Sequence, residues 1–259
     1  MPDPLFDLAG RIAVVTGACG LIGRAIAQAF AHRGALVVAV DLPAAMPQSL
    51  VPLFGGEALA MPCDVTDAGQ VETLVQRVLD LHGRVDILVN SHHHKAKGFT
   101  EIPAESFPEE LWDSIVSVQL KATFLTCRAF GKAMLSQGKG SIVNLASTYG
   151  VVSSNPGLYE DNSLGNPVAY TASKGGVIML TKYLGVHWAS RGVRVNCVTP
   201  QGVLNGQPPA FIERFRSLSP MRRLMTADEV VGAVLFLASD AASYATASNL
   251  LIEGGWSAW

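Results

Sequence analysis

Short apolar runs recur along the chain, and each stops at a glycine or a polar residue. Ile12–Thr16 stops at Gly17, Leu36–Val40 at Asp41, and the run 85–89 at Asn90. Runs of about five residues, β-branched and without polar alternation, read as parallel strands buried on both faces. Further strands are predicted at 57–62, 141–146, 193–198 and 250–252. Between them the period changes to that of a helix. Val71, Leu74, Val75, Val78 and Leu79 recur at i, i+3, i+4, i+7 and i+8, which is one apolar face. Thr66 or Asp67 can cap that helix and Gly83 can close it. Helical character is also predicted at 24–33, from Tyr170 to about residue 190, and at 109–137. In the last, Trp112, Ile115, Val116, Gln119, Leu120 and Phe124 are expected to be buried. Thr226-Ala227-Asp228-Glu229 reads as a capping box before a further apolar helix with Val230, Val231, Val234, Leu235 and Leu237. Residues 43–56, 98–108 and 148–167 read as connections. Residues 203–225 read as a loop with a short helix, of the kind that closes over a substrate. Strands and helices that alternate across short joints imply right-handed crossovers. The expectation is one α/β domain over 1–259, a doubly wound parallel seven-stranded sheet flanked by helices.

The first turn adds chemistry to that frame. Gly17, Gly20 and Gly23 follow the first strand and open the first helix. In that setting a glycine turn suits a dinucleotide: one glycine for the tight turn, one for close approach to the pyrophosphate, one for packing helix on strand. The helix N-terminus then faces the phosphates. The pattern is that of a Rossmann fold. Asp41 ends the second strand, about 20 residues on, where a carboxylate accepts from ribose hydroxyls and repels a 2′-phosphate. No arginine lies in the turn 17–23, so NAD is expected rather than NADP. Asp41 could equally begin a loop, as many aspartates do.

Asn90-Ser91-His92-His93-His94 follows the strand at 85–89, at the end where open α/β sheets bind ligands. His92 and His94 would share a side only in extended backbone. No carboxylate or cysteine stands at ligand spacing, so no metal site is assigned. Polar lining of a substrate pocket is the reading preferred, with a structural loop as the alternative. Ser147 ends the strand at 141–146. Tyr170 and Lys174 stand four apart on one helix and can face one cleft. A free phenol, with a pKa of about 10, is a poor base at neutral pH. An ammonium ~4 Å away at an effective dielectric of ~20 favours the phenolate by about 4 kcal/mol. That is roughly three pKa units. The same spacing also arises by chance on many helices.

Composition narrows the class. Hydrophobic residues make up 49% and charged residues 15%, a globular rather than a disordered balance. The net charge is -2, with no basic stripe, so neither nucleic acid nor an anionic membrane is expected as a partner. The four cysteines form no CxxC pair and suit reduced thiols in a cytoplasmic protein. Met1-Pro2-Asp3-Pro4 lacks the basic start of a signal peptide. No apolar run approaches the ~18 residues of a membrane span.

Taken together, Thr16-Gly17…Gly20…Gly23, Asp64-Val65, Asn90, Ser147, Tyr170…Lys174, Asn196 and Pro200…Gly202 resemble the short-chain dehydrogenase/reductase family, in its order and over essentially the whole chain. That resemblance implies hydride transfer between NAD(P) and an alcohol or carbonyl of a small-molecule substrate, by a homodimer or homotetramer. It implies Tyr170 as general acid/base, Lys174 as the group that lowers its pKa and holds the nicotinamide ribose, and Ser147 as donor to the substrate oxygen. Asp64 and Val65 are implied as adenine contacts, and Asn90 as a brace of the central strand near the ribose. Leu21, Ile22, Pro200 and Val203 are implied as further cofactor contacts. Gly254-Gly255-Trp256 is similar to the family's C-terminal subunit contact.

Four departures stand out. Leu21 replaces a glycine of the short-form turn, and the spacing resembles the longer branch that includes sugar-nucleotide epimerases. Ser91, His92 and His93 replace small residues. Gln119 stands where an Asn usually holds a water in the proton relay, and its extra methylene alters the reach. The Ser147-to-Tyr170 separation is longer by about ten residues. The insert, the Gln119 helix and the tail are similar to a branch associated with bacterial surface-sugar modification. The expected activity is NAD-dependent oxidation or reduction of a polar secondary alcohol or ketone, possibly a sugar derivative, with His93, His94, Tyr149, Tyr159, Gln201 and Asn205 as pocket residues. The alternatives are a catalytically weak NAD-binding sensor or assembly protein, and an NAD-recycling epimerase or dehydratase.

Overall fold

The computed structural model of the protein describes residues 5–46, 58–94, 102–160 and 164–258. Seven strands form one parallel sheet: β1 (Ile12–Thr16), β2 (Leu36–Val40), β3 (Leu59–Ala60), β4 (Ile87–Asn90), β5 (Gly140–Leu145), β6 (Val193–Pro200) and β7 (Asn249–Ile252). Their spatial order is β3-β2-β1-β4-β5-β6-β7. The helices are α1 (Leu21–His32), α2 (Ala68–His82), α3 (Glu109–Val116), α4 (Ala122–Gln137), α5 (Val168–Trp188), α6 (Pro209–Leu218) and α7 (Asp228–Ala238). The expected doubly wound Rossmann sheet is therefore present. The chain reverses its direction of winding between β1 and β4, where ligands bind outside the carboxyl ends of the strands.

Strand alternation explains the uninterrupted apolar runs. Ala13 and Val15 of β1 join Phe30, Val37, Ala39 and Leu237 in the core under α1 and α7. Ile12 and Val14 point the other way, into the core under α2 and α4 with Val38, Leu74, Val78 and Phe130. Both faces of the sheet are covered, so no polar alternation survives in the central strands. Local capping follows the sequence as well. Asp67 Oδ1 accepts from the backbone N–H groups of Gly69 and Gln70, and Gly83 closes α2 at φ 72°. At α7 half of the expected box forms: Glu229 Oε2 accepts from the Thr226 N–H at 2.8 Å.

Three expectations change. The third strand is only Leu59–Ala60, and residue 57 lies outside the described residues. The helix at 109–137 is continuous but contains a π-turn at Ser117–Lys121 between α3 and α4. Its extra residue per turn rotates the faces. Ile115 and Gln119 stay buried, while Trp112 and Phe124 face outward, 37% and 42% exposed. The third change is at the C-terminal tail. Trp256 stacks on Phe215 of α6 with ring centroids 4.9 Å apart, inside a cluster with Leu158, Phe211 and Leu224. Its side chain is buried in its own chain, whereas Gly254 and Gly255, the rest of the stretch likened to a subunit contact, stay partly exposed. That cluster joins the 148–167 insert, α6 and the tail above the sheet. Arg214 of α6 donates to the Gly157 carbonyl at 2.9 Å. Among the described residues no helix is long and apolar enough to cross a membrane.

Candidate active site

Two cavities of about 410 and 460 Å³ lie at the carboxyl ends of the strands and share Gly20, Ser91, His92 and His93 as a common wall. The glycine turn after β1 forms their base. Gly17 sits at φ 66°, and a Cβ there would stand 2.6 Å from the Ser91 carbonyl oxygen. A Cβ on Gly23 would stand 2.1 Å from the Gly17 carbonyl oxygen. Gly20 begins α1 with no side-chain cap, and the first turn carries no acidic residue. The first N–H groups of α1 are therefore open to an anion in the first cavity, which Gly20, Leu21, Ile22 and Gly23 line. A side chain at either tight glycine would collide with backbone and force the turn out of shape.

Asp41, Asp64 and Val65 line the second cavity. Asp41 Oδ2 accepts the Cys19 N–H at 2.9 Å, and Oδ1 accepts the Leu42 N–H at 2.9 Å. The aspartate thus ties the glycine turn to the end of β2. A carboxylate offers about four lone-pair sites, so acceptor capacity remains for ribose hydroxyls. Asp64 Oδ1 holds its own turn through the N–H and hydroxyl of Thr66. Taken with the open helix end, these residues fit a dinucleotide: phosphates at the glycine turn, the adenosine half in the second cavity.

Ser147, Tyr170 and Lys174 come together in the first cavity. Ser147 caps the 3₁₀ turn Thr148–Gly150, and this turn packs directly on α5. A Cβ on Gly150 would stand 2.6 Å from the Lys174 carbonyl carbon. The Ser147 hydroxyl accepts from the Tyr149 N–H at 3.2 Å and lies beside the Tyr170 hydroxyl. Lys174 Nζ donates to the Leu145 carbonyl at 2.8 Å and stands 5.7 Å from the centroid of the Tyr170 ring. Burial pushes the Tyr170 phenol above its ordinary pKa, against the opposing pull of the Ser147 hydrogen bond. Burial also brings Lys174 down to about 8. Desolvation is the largest influence on both groups, and the ammonium is itself held on a backbone carbonyl.

The neighbouring polar residues divide. His92 is a core residue: its Nδ1 lies 2.8 Å from Thr16 Oγ1 and its Nε2 3.2 Å from Thr123 Oγ1. Burial, before the charge of Lys174, holds its pKa down at about 3, so it is neutral. His93 turns to the cleft, edge-on to the Tyr170 ring at 5.6 Å. His94 lines the second cavity rather than the first, with its Nε2 2.9 Å from Ser114 Oγ. That places it on the adenosine side and away from the expected substrate pocket. Among the described residues no three metal-ligating side chains converge. Asn90 lines neither cavity. Its amide donates to Asn144 Oδ1 at 2.9 Å, and its Oδ1 accepts from Thr126 at 2.8 Å. It braces β4 against β5 and α4 from behind the wall that Ser91 and His92 form. Gln119 is buried beneath His93 and reaches the cleft only through it.

Tyr149 and Tyr159 line the first cavity with their hydroxyls 2.7 Å apart. Burial raises both phenols, so both are neutral donors. Pro200, Gln201, Val203 and Asn205 line it as well. Gln201 Nε2 is buried without a hydrogen-bond partner. Asn166 and Gln207 belong to the same wall, and sequence reasoning missed both. Asn166 lies before the start of α5, where no helical spacing applies. Gln207 holds the loop by donating to the Val203 carbonyl and accepting from the Asn205 N–H, a contact with no sequence period.

Comparison with known proteins agrees with this architecture. A family model described as "Enoyl-(Acyl carrier protein) reductase" matches residues 17–257. A D-threitol dehydrogenase of Mycolicibacterium smegmatis is 40% identical over 97% of this chain and 94% of its own. An NAD-dependent glycerol dehydrogenase of Listeria innocua is 34% identical over 98% of this chain and 96% of its own. The crystal structure of a putative NAD(P)-dependent gluconate 5-dehydrogenase of Beutenbergia cavernae, with bound NADP at low occupancy, superposes with a TM-score of 0.84. It is 36% identical and covers 98% of this chain and all of that one.

Proposed function

The chain belongs to the short-chain dehydrogenase/reductase family, and on that premise we propose that it is an NAD-dependent dehydrogenase of short polyols. The observation that carries this reading is the convergence of Ser147, Tyr170 and Lys174 in a cavity walled by polar side chains. Tyr149, Tyr159, Asn166, Gln201 and Asn205 supply hydroxyl and amide groups there. A polyol offers a hydroxyl on nearly every carbon and can satisfy several of them. The similarity to a threitol and a glycerol dehydrogenase supports the same substrate class. Assayed with NAD, the enzyme is expected to oxidise D-threitol and glycerol with kcat/KM at least ~10-fold above that for a simple secondary alcohol of equal length, a difference of about 1.4 kcal/mol. Equal values would remove the polyol assignment.

When bound, the oxidised nicotinamide supplies the hydride acceptor. The chain's own residues do the rest. Ser147 holds the carbinol oxygen. Tyr170 takes the hydroxyl proton as the carbinol carbon gives up its hydride. Lys174 keeps a positive charge beside the developing alkoxide and orients the ribose. Reduction runs the same steps backwards, with the neutral phenol as proton donor. The segment 203–225, packed on the insert through Phe211 and Phe215, acts as the cover of the substrate end.

NAD is preferred over NADP because Asp41 lies in the wall of the second cavity. Its charge repels a 2′-phosphate, and no arginine lies in the glycine turn. Asp41→Ala is expected to shift the NADP:NAD ratio of kcat/KM at least ~10-fold towards NADP, about 1.4 kcal/mol. A wild-type enzyme that binds NADP more tightly than NAD would show that Asp41 does not have this role. The protein acts as a homodimer or homotetramer in the cytoplasm. Support for assembly comes from the exposed apolar side chains Met179, Tyr183 and Val186 on one face of α5 and Phe124 on α4. Support for the compartment comes from four free cysteines.

A further inference from the structure

Tyr149 and Tyr159 form a pair that the proton-transfer centre does not use. Tyr149 belongs to the 3₁₀ turn Thr148–Gly150, and its N–H donates to Ser147 Oγ at 3.2 Å. That turn packs against the Lys174 backbone, so Tyr149 is mounted on the reacting centre itself. Tyr159 arrives from the insert. It closes the 3₁₀ turn Pro156–Leu158, and its ring packs on Phe211 of α6 with centroids 6.0 Å apart. The Tyr159 hydroxyl donates to the Tyr149 oxygen at 2.7 Å. A charge on Tyr149 would raise Tyr170, and a charge on Tyr170 would raise Tyr159. The three phenol ends therefore share one region of the first cavity.

A hydroxyl has one proton to give. Tyr159 commits its own to Tyr149. The Tyr149 proton meets no acceptor among the described residues, while its oxygen already accepts one hydrogen bond. Accepting a bond polarises a hydroxyl and makes it a stronger donor. A buried donor left unpaired is destabilising, so this one suits an oxygen that enters with the substrate. We propose that Tyr149 donates to a polyol hydroxyl other than the one being oxidised, and that Tyr159 is a positioning residue that acts only through Tyr149. This rests on the polyol reading and sharpens it. One donor on the turn that carries Ser147 separates a polyol from a mono-ol, and the 148–167 insert sets the strength of that donor. Ser147 and Tyr170 take the reacting oxygen, and Tyr149 takes a second. A site that hydrogen-bonds a substrate hydroxyl discriminates strongly against the analogue that lacks it.

The matched probes are D-threitol and butan-2-ol, which share a four-carbon chain with a secondary carbinol and differ only in the non-reacting hydroxyls. Tyr149→Phe is expected to lower the threitol:butan-2-ol ratio of kcat/KM about 10- to 100-fold, with the loss mainly in KM for D-threitol. Tyr159→Phe is expected to lower the ratio about 3- to 10-fold, because Tyr149 stays but loses the bond that aims and polarises it. The double variant is expected to match Tyr149→Phe alone. Equal losses for the two alcohols would overturn the proposal. So would single losses that multiply in the double variant, because Tyr159 would then touch substrate itself. A second readout needs no turnover. In NADH-loaded protein labelled with ¹³C at tyrosine Cζ, D-threitol is expected to shift the Tyr149 signal. Tyr159→Phe is expected to move the same signal before any D-threitol is added. A Tyr149 signal indifferent to either change would overturn the proposal. If the wild type makes no NADH from any polyol, the dehydrogenase reading fails. The labelled protein still decides the contact: a shift with D-threitol keeps it, and no shift overturns it as well.

Discussion

Replacing Tyr170 by Phe is expected to lower kcat about 10³- to 10⁴-fold and to change NADH affinity less than about threefold. The substitution deletes one oxygen. The ring remains, and with it the edge contact from His93 at 5.6 Å and the flank facing Lys174. Lys174 also keeps its own anchor on the Leu145 carbonyl. What is lost is the hydroxyl placed to exchange a proton with the carbinol oxygen. General acid–base catalysis by a positioned residue is worth ~10²–10⁴-fold, and the upper half of that range applies where burial excludes water as a substitute. A loss of 10³ corresponds to about 4 kcal/mol of barrier. Steady-state kinetics with D-threitol and fluorescence titration with NADH separate the two effects. A variant that retains a tenth of wild-type kcat would remove Tyr170 from the proton step.

Gly23→Ala is expected to be the most damaging single-methyl change. The added Cβ would meet the Gly17 carbonyl oxygen at 2.1 Å, its carbon at 2.8 Å and Ala18 Cα at 3.1 Å. All three are backbone atoms, so no side chain can move aside. Either α1 lifts from β1 or the turn opens. Overpacking of this kind costs on the order of 1–3 kcal/mol in stability. The same shift re-aims the N–H groups at the start of α1, so NADH affinity should fall more than ~10-fold. Gly20→Ala is the matched control. There the nearest contact is the Gly17 carbonyl oxygen at 3.2 Å, and φ is -71°. It should lose far less stability in thermal denaturation. Equal losses at the two positions would argue against the packing account of the turn.

Much of the frame was legible because its causes are local. Strands buried on both faces leave apolar runs, and β1 and β2 begin and end where those runs do. Asp67 and Gly83 bound α2 through contacts within a few residues. Ser147, Tyr170 and Lys174 were legible because they stand at a strand end and at helical spacing, and the fold brings them to one cleft. What escaped depends on distant partners. His92 is a core residue only because Thr16 and Thr123, 76 and 31 residues away, close on its two nitrogens. No local signal separates it from His93 next door. Trp112 and Phe124 read as buried on a regular helix, but the π-turn between them shifts the register. The partners through which Asn90 braces the central strand, Asn144 and Thr126, are equally distant in sequence. Asn166 and Gln207 lie in irregular backbone, where no period marks an inward side chain. The balance of burial against charge at Tyr170 and Lys174 was not legible for another reason. Spacing along a helix says nothing of burial, and burial dominates both groups.

The most direct test is a single turnover with D-threitol carrying deuterium on its secondary carbinol carbons. Analysing the cofactor and the sugar product by mass spectrometry gives the answer. The account predicts one deuterium in the reduced nicotinamide for each keto product formed, and none of this in Tyr170→Phe. Product without net NADH would instead indicate an enzyme that recycles its cofactor. Bound NAD without product, unchanged in Tyr170→Phe, would indicate a sensor or assembly protein. Either result would contradict a dehydrogenase built on Ser147, Tyr170 and Lys174.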